Sequence, residues 1–166
     1  MTGISGADDV ADLTESLRLA RRETKLVRGQ QEVALETLQR VRRQRAALRV
    51  EVRWLADALA AQLSERYWRA EQGRRGLLSR AGRSEEAAMV AEVEASDLFD
   101  AGWYLRQHPE IAEEGLSPGL HYVRTGAAAG FDPGTSFDSA RYLREQPAAR
   151  DSGLPPLVHH LRHGQG

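Results

Sequence analysis

From Val10 to Leu59 the chain sets down a position of one kind every third and then every fourth residue. The series runs Val10, Leu13, Leu17, Ala20, Thr24, Val27, Gln31, Ala34, Leu38, Val41, Arg45, Leu48, Val52, Leu55, Leu59, and only Thr24, Gln31 and Arg45 interrupt its apolar character. A seven-residue repeat held this long draws one narrow stripe along a supercoiled helix. A lone helix has nothing against which to bury that stripe, so partner helices are implied. No aromatic residue precedes Trp54, which leaves the first third without material for a globular core. Residues 9–70 are therefore expected to form a coiled-coil helix about 90 Å long, after a disordered start at 1–8. The expected seam is Val10, Leu13, Leu17, Val27, Leu38, Val41, Leu48, Val52, Leu55 and Leu59.

The flanks of the stripe bear on orientation. One carries Arg21, Arg28, Arg42 and Arg49, the other Asp9, Glu23 and Glu51. In a parallel pair Glu23 meets Arg28 of the second helix, whereas an antiparallel pair sets arginine against arginine. A parallel homo-oligomer is expected, with Gln31 and Arg45 fixing register at some cost in stability. A second, weaker stripe (Leu19, Leu26, Val33, Ala47 and Trp54) implies either more than two helices or a different protein as partner. Beyond Leu59 the spacing becomes Leu63, Tyr67, Ala70, which locally relaxes the supercoil. The arginine-rich Gln39–Arg49 admits a nucleic-acid reading. A solvated face with interchain ion pairs outweighs it, since no aromatic interleaves the arginines and the net charge is −1. No nucleic acid is expected.

Residues 71–83, with Gly73, Gly76 and Gly82, have the look of a flexible hinge. A short helix at 84–97 follows, with Ser84 as its N-cap and Glu85 and Glu86 in the first turn. The chain then repeats itself. Phe99 recurs as Phe137, 38 residues on, and with the same offset Asp100, Tyr104, Leu105, Arg106, Pro109, Gly115, Leu116, Pro118, His121, Arg124 and Gly126 recur as Asp138, Tyr142, Leu143, Arg144, Pro147, Gly153, Leu154, Pro156, His159, Arg162 and Gly164. Asp100 and Asp138 suit N-caps, Pro109 and Pro147 end the helix, Gly115 and Gly153 suit a left-handed stop, and Pro118 and Pro156 open the next helix. Each copy, 98–130 and 131–166, is two or three short helices, and so short a unit needs its neighbour to make a core. The expected fold is all-α: a long N-terminal parallel coiled-coil helix, then a small domain of two helical repeats.

The pattern "FD…YL…P…G…P…HY…G" over Leu98–Gly166 resembles the short tandem repeats attached to bacterial glycosyltransferases and other cell-surface polysaccharide proteins. The usual Asn-Pro stands here as His108-Pro109 and Gln146-Pro147, and "HY" becomes His159-His160 in the second copy. The resemblance does not reach the coiled coil. It implies an accessory role near surface glycans; the expected partners are a glycan or a glycosyltransferase, or an assembly scaffold protein in the alternative that the second stripe of the long helix supports.

Trp103, Arg106, Tyr122, Arg124, Arg144 and Arg162 are the candidate ligand contacts, an aromatic-and-guanidinium surface suited to sugars or acidic polysaccharide. Against this stands the reading, given more weight, that the tyrosines are core and the arginines pair with nearby carboxylates. His159 and His163, spaced i, i+4, are compatible with a metal, but their counterparts are His121 and Thr125 and no third ligand suggests itself. A structural hydrogen bond fits His121 and His159 better. No nucleophile–base set or phosphate loop appears, so no catalysis, metal or cofactor is expected. The opening lacks a secretion signal, no apolar run is long enough to cross a bilayer, and the 0 cysteines suit a reducing compartment. A soluble protein is expected, cytoplasmic or associated with a surface or particle. The expected function is an oligomeric, non-catalytic accessory protein, with a structural fibre or spike component docked on a scaffold as the alternative.

Overall fold

The computed structural model describes residues 5–74 and 80–164. Among them the structure is helical, with no strand; the nearest approach to one is an antiparallel bridge between Gly134 and Phe137. Helix α1 (Ser5–Arg74) is followed by α2 (Arg80–Glu94). The first copy holds α3 (Ala101–Gln107), α4 (Glu110–Glu114) and α5 (Pro118–His121), which runs on into a π-helical turn over Tyr122–Gly126. The second holds α6 (Ser139–Glu145), α7 (Pro147–Asp151) and α8 (Pro156–His163). The chain divides into two compact units, Met1–Arg49 and Val50–Gly166.

The described residues of the first unit are helix alone. From Val10 to Arg49 every side-chain-bearing residue is exposed. Thr14, Thr24 and Thr37 donate their hydroxyls to the carbonyls four residues back, of Val10, Ala20 and Val33, at 2.7–2.8 Å. These are bonds within the helix, and they bury none of its apolar surface.

The second unit owns the core. Its buried cluster joins Val93 of α2 to Phe99, Tyr104, Leu105, Ile111 and Tyr122 of the first copy and Phe137, Leu157 and Val158 of the second. Ala60 and Leu63 of α1 belong to the same cluster, at 1% and 4% exposure. The expected division, a coiled coil to residue 70 and a separate repeat domain after the hinge, thus differs from what is seen: the last turns of α1 are part of the repeat core. Gly102 permits the close approach. A Cβ there would fall on the Asp57 carboxylate, so only glycine lets α3 lie this close to α1. The buried face of α1 moves over by one residue, from Leu59 to Ala60 and Leu63.

Helix α2 begins at Arg80, four residues before the expected Ser84 cap, so Glu85 and Glu86 lie inside it. Of the expected hinge, 71–74 end α1 and 80–83 open α2; 75–79 lie outside the described residues, as do 1–4 of the expected disordered start.

Within each copy the local signals act as their chemistry dictates. Asp100 Oδ1 accepts from the Trp103 amide and Asp138 Oδ1 from that of Arg141, both at 2.7 Å, each capping a seven-residue helix. Gly115 and Gly153 take φ of 67° and 69°, the left-handed stop that a side chain resists. Gly126 has a different reason: a Cβ would land on the Tyr104 hydroxyl. The copies are joined by the Leu157 amide donating to the Tyr122 hydroxyl at 3.3 Å, while within the second copy the Ser139 amide donates to Asp132 Oδ1 at 2.8 Å.

Candidate functional site

The sequence nominated two surfaces, the seam of α1 and the arginine-aromatic set of the repeats. All ten seam residues are exposed, from 39% at Leu59 to 64% at Leu13. The second stripe is as open, with Leu26, Val33 and Trp54 at 64–67%. A protein rarely leaves a contiguous row of large apolar side chains in water without a use for it.

The arginine-aromatic set does not converge on one face. Tyr122 is fully buried, an edge-on neighbour of Tyr104 at 5.9 Å, and offers nothing to a ligand. Burial also pushes its phenol up to about 12. Arg124 makes a two-pronged pair with Glu86 at 2.9 and 2.8 Å, and Arg162 makes the equivalent pair with Glu92, both prongs at 2.9 Å. These bonds hold both guanidinium groups above their ordinary value. Arg106 approaches Asp57 at 3.5 Å, and Trp103, half-buried, packs at the edge of the core. Arg144 is exposed, and among the described residues no carboxylate lies within ion-pair distance of it. The paired arginines tie the repeats to α2, which the sequence left open because Glu86 and Glu92 lie far from them along the chain.

A further carboxylate stands between elements. Glu94 accepts from the Ser64 hydroxyl at 2.8 Å and from the Trp68 indole at 2.7 Å, joining α1 to α2. Gly119 of α5 comes so near that a Cβ would meet the Glu94 side chain at 2.7 Å.

The histidines recur with the fold. Tyr104 Oη lies 3.0 Å from His121 Nδ1, and Tyr142 Oη lies 2.8 Å from His159 Nδ1. Burial lowers both imidazoles below their usual range; His108 adds to this at His121, against the pull of Glu114 and Glu110, and His163 and His160 add to it at His159. Burial likewise keeps the Tyr104 phenol protonated well above the ordinary range. Among the described residues no three His, Asp or Glu side chains converge in a way that would hold a metal ion.

One cleft of about 420 Å³ opens in the second copy, beside Tyr142, Gln146, His159 and His163. Among the described residues no helix is long and apolar enough to cross a membrane. No protein-family model matches the chain, and no curated protein or solved structure does.

Proposed function

We propose that the protein is a non-catalytic accessory protein that self-associates through α1 as a parallel coiled coil and carries two helical repeats on each chain. The observation that carries this reading is the row of exposed heptad residues from Val10 to Leu59. Each Leu or Val that becomes fully buried in such a seam contributes roughly 1.5–3 kcal/mol, ample to drive association of a helix this long. The parallel arrangement rests on Glu23 facing Arg28 of a second chain, as the flanks of the stripe place them. Mass photometry of the full chain tests it: a stable oligomer at micromolar concentration is expected, and Leu38→Asp with Val41→Asp should return it to monomer. A wild-type monomer at that concentration would overturn the reading.

The setting we infer is synthesis or recognition of bacterial surface polysaccharide, supported by the resemblance of Leu98–Gly166 to repeats of such proteins. Arg144, exposed and with no carboxylate partner among the described residues, is the ligand candidate best placed for it. Pull-down on an acidic polysaccharide should retain the wild type and lose Arg144→Ala. Failure to bind would remove the glycan part and leave the oligomer standing.

The second stripe supports one alternative, a structural component whose helix docks on a different scaffold protein. Leu19, Leu26 and Val33 are exposed beside the seam, and a shallow depression forms at Gly29 between Leu26 and Val33. Polar substitution of these three that spares self-association but abolishes capture of a scaffold partner would favour it.

A further inference from the structure

A cleft of about 520 Å³ opens where the end of α1 passes α2 and the turn that leads from α4 into α5. Arg66, Tyr67 and Glu71 line it from α1, and Leu116 and Leu120 from the first repeat. Leu120 is buried and Leu116 half-buried, so the lining is part apolar and part charged. A Cβ at Gly115 would lie 3.6 and 3.8 Å from the two terminal nitrogens of Arg66, which places that guanidinium over the left-handed stop of the first copy. The whole cleft belongs to the second unit, and it begins about two turns past Leu59, where the seam ends.

Two of the three arginines at the cleft are paired, Arg124 with Glu86 and Arg69 with Glu65. The third, Arg66, has no carboxylate within ion-pair distance among the described residues, and 74–84 contain none. Tyr67 stands next to it on the helix, and its hydroxyl has no hydrogen-bond partner among the described residues. Burial, with Glu71 and Glu86 adding to it, pushes this phenol up to about 12, so the hydroxyl remains a donor at neutral pH. A guanidinium and a phenol donor therefore border one part of the cleft, and the Glu71 carboxylate borders it one turn further on.

We infer that this cleft binds a hexuronate residue of an acidic polysaccharide, with Arg66 and the Tyr67 hydroxyl holding its carboxylate and Glu71 accepting from its ring hydroxyls. A guanidinium and a neutral phenol both donate to a carboxylate, and the charge-assisted bonds are the strong ones. Arg66 and Glu71 are five residues apart, about 7.5 Å along the helix. That span suits groups at opposite ends of a sugar ring, and not the carboxylate and ammonium that an amino acid carries on one carbon. A phosphate would bring a second negative charge toward Glu71 and Glu86, which a single carboxylate does not. Leu116 and Leu120 offer apolar surface to the C–H face of the ring. The inference rests on the glycan reading for its setting and adds a site to it, since Arg144 does not line this cleft.

The test uses the full chain and a four-residue oligogalacturonate, with its methyl ester as the uncharged control and acetate as a carboxylate without a ring. NMR follows the ring of Tyr67. Saturable shifts with the oligogalacturonate are expected, and the methyl ester should bind roughly tenfold more weakly or worse. Acetate should move the same signals only at far higher concentration. Arg66→Gln, at an exposed position, should weaken the oligogalacturonate by roughly tenfold or more, while Arg144→Ala leaves the Tyr67 shifts in place. Both contacts act on one polysaccharide chain, so retention in a pull-down is lost with either, whereas the Tyr67 ring reads the cleft alone. A silent Tyr67, equal binding of the methyl ester or of acetate, or unchanged binding in Arg66→Gln would each overturn the inference. If Tyr67 is silent and a pull-down still depends on Arg144, this cleft is ruled out and the glycan reading stands.

Discussion

The Tyr104 hydroxyl sits 3.0 Å from Nδ1 of His121, and 38 residues later Tyr142 takes up the same relation to His159 at 2.8 Å. In both copies the bond ties the first helix to the last, so the closing helix is oriented by a polar contact at the edge of the core. Because a phenol both donates and accepts, either neutral tautomer of the imidazole keeps the bond. Tyr104→Phe removes the hydroxyl and leaves His121 Nδ1 without its partner. A loss of about 1–2 kcal/mol in urea unfolding is expected. Tyr142→Phe should cost less, since Tyr142 is only half-buried and water replaces the lost partner.

Both imidazoles are lowered from the ordinary value of 6.5, so the folded state binds protons less readily than the unfolded chain. Unfolding then takes up protons as pH falls through the unfolded value, and stability drops on the acid side. Melting followed by circular dichroism should show Tm steady above about pH 7.5 and falling toward about pH 5.5. In His121→Gln the fall should be shallower. A Tm that rises on acidification would contradict the direction of both shifts.

The repeat unit should not survive removal of α1. A fragment beginning at Val50 keeps Ala60, Leu63 and both partners of Glu94, and is expected to melt cooperatively. One beginning at Ser84 exposes the cluster those residues cover and leaves Glu94 unpaired on that side. It should show weak near-ultraviolet signal and no sharp transition. A cooperative Ser84–Gly166 fragment would mean that the contacts to α1 add little.

Gly102→Ala places a methyl on the Asp57 carboxylate and near the α1 backbone, with Asp57 Cα at 3.1 Å. Helix α3 must shift outward, at about 1–3 kcal/mol. Gly153→Ala meets open space, and its cost is the left-handed backbone alone, about 1 kcal/mol. Thermal denaturation of the two variants separates crowding from conformation, and Gly102→Ala should be the worse.

What the sequence discloses and what it conceals divide along the range of the interaction. Asp100, Asp138, Gly115 and Gly153 act on amides or backbone angles a few residues away, so their positions announce turns that the structure contains. Ala60 and Leu63 are buried by residues far along the chain, and Gly102, which lies against Asp57, carries no label naming that neighbour. A faint signal did exist: the spacing loosens beyond Leu59, where α1 exchanges its open seam for the core. Arginines Arg124 and Arg162 are likewise legible as repeated cations, and their partners are legible only once α2 is seen beside both copies.

Glu86 and Glu92, which receive those arginines, stand six residues apart on α2, while the arginines stand 38 apart in the chain. Each duplication therefore advances about 9 Å along α2 at the usual rise per residue. The helix serves as a graduated ruler, with one acidic mark for each repeat. A third mark on the same interval would fall at Leu98, beyond Glu94 where α2 ends. Lengthening the array by another repeat of this kind would thus call for about six more residues in α2, so that the tally of repeats and the length of a helix encoded ahead of them are bound to change together.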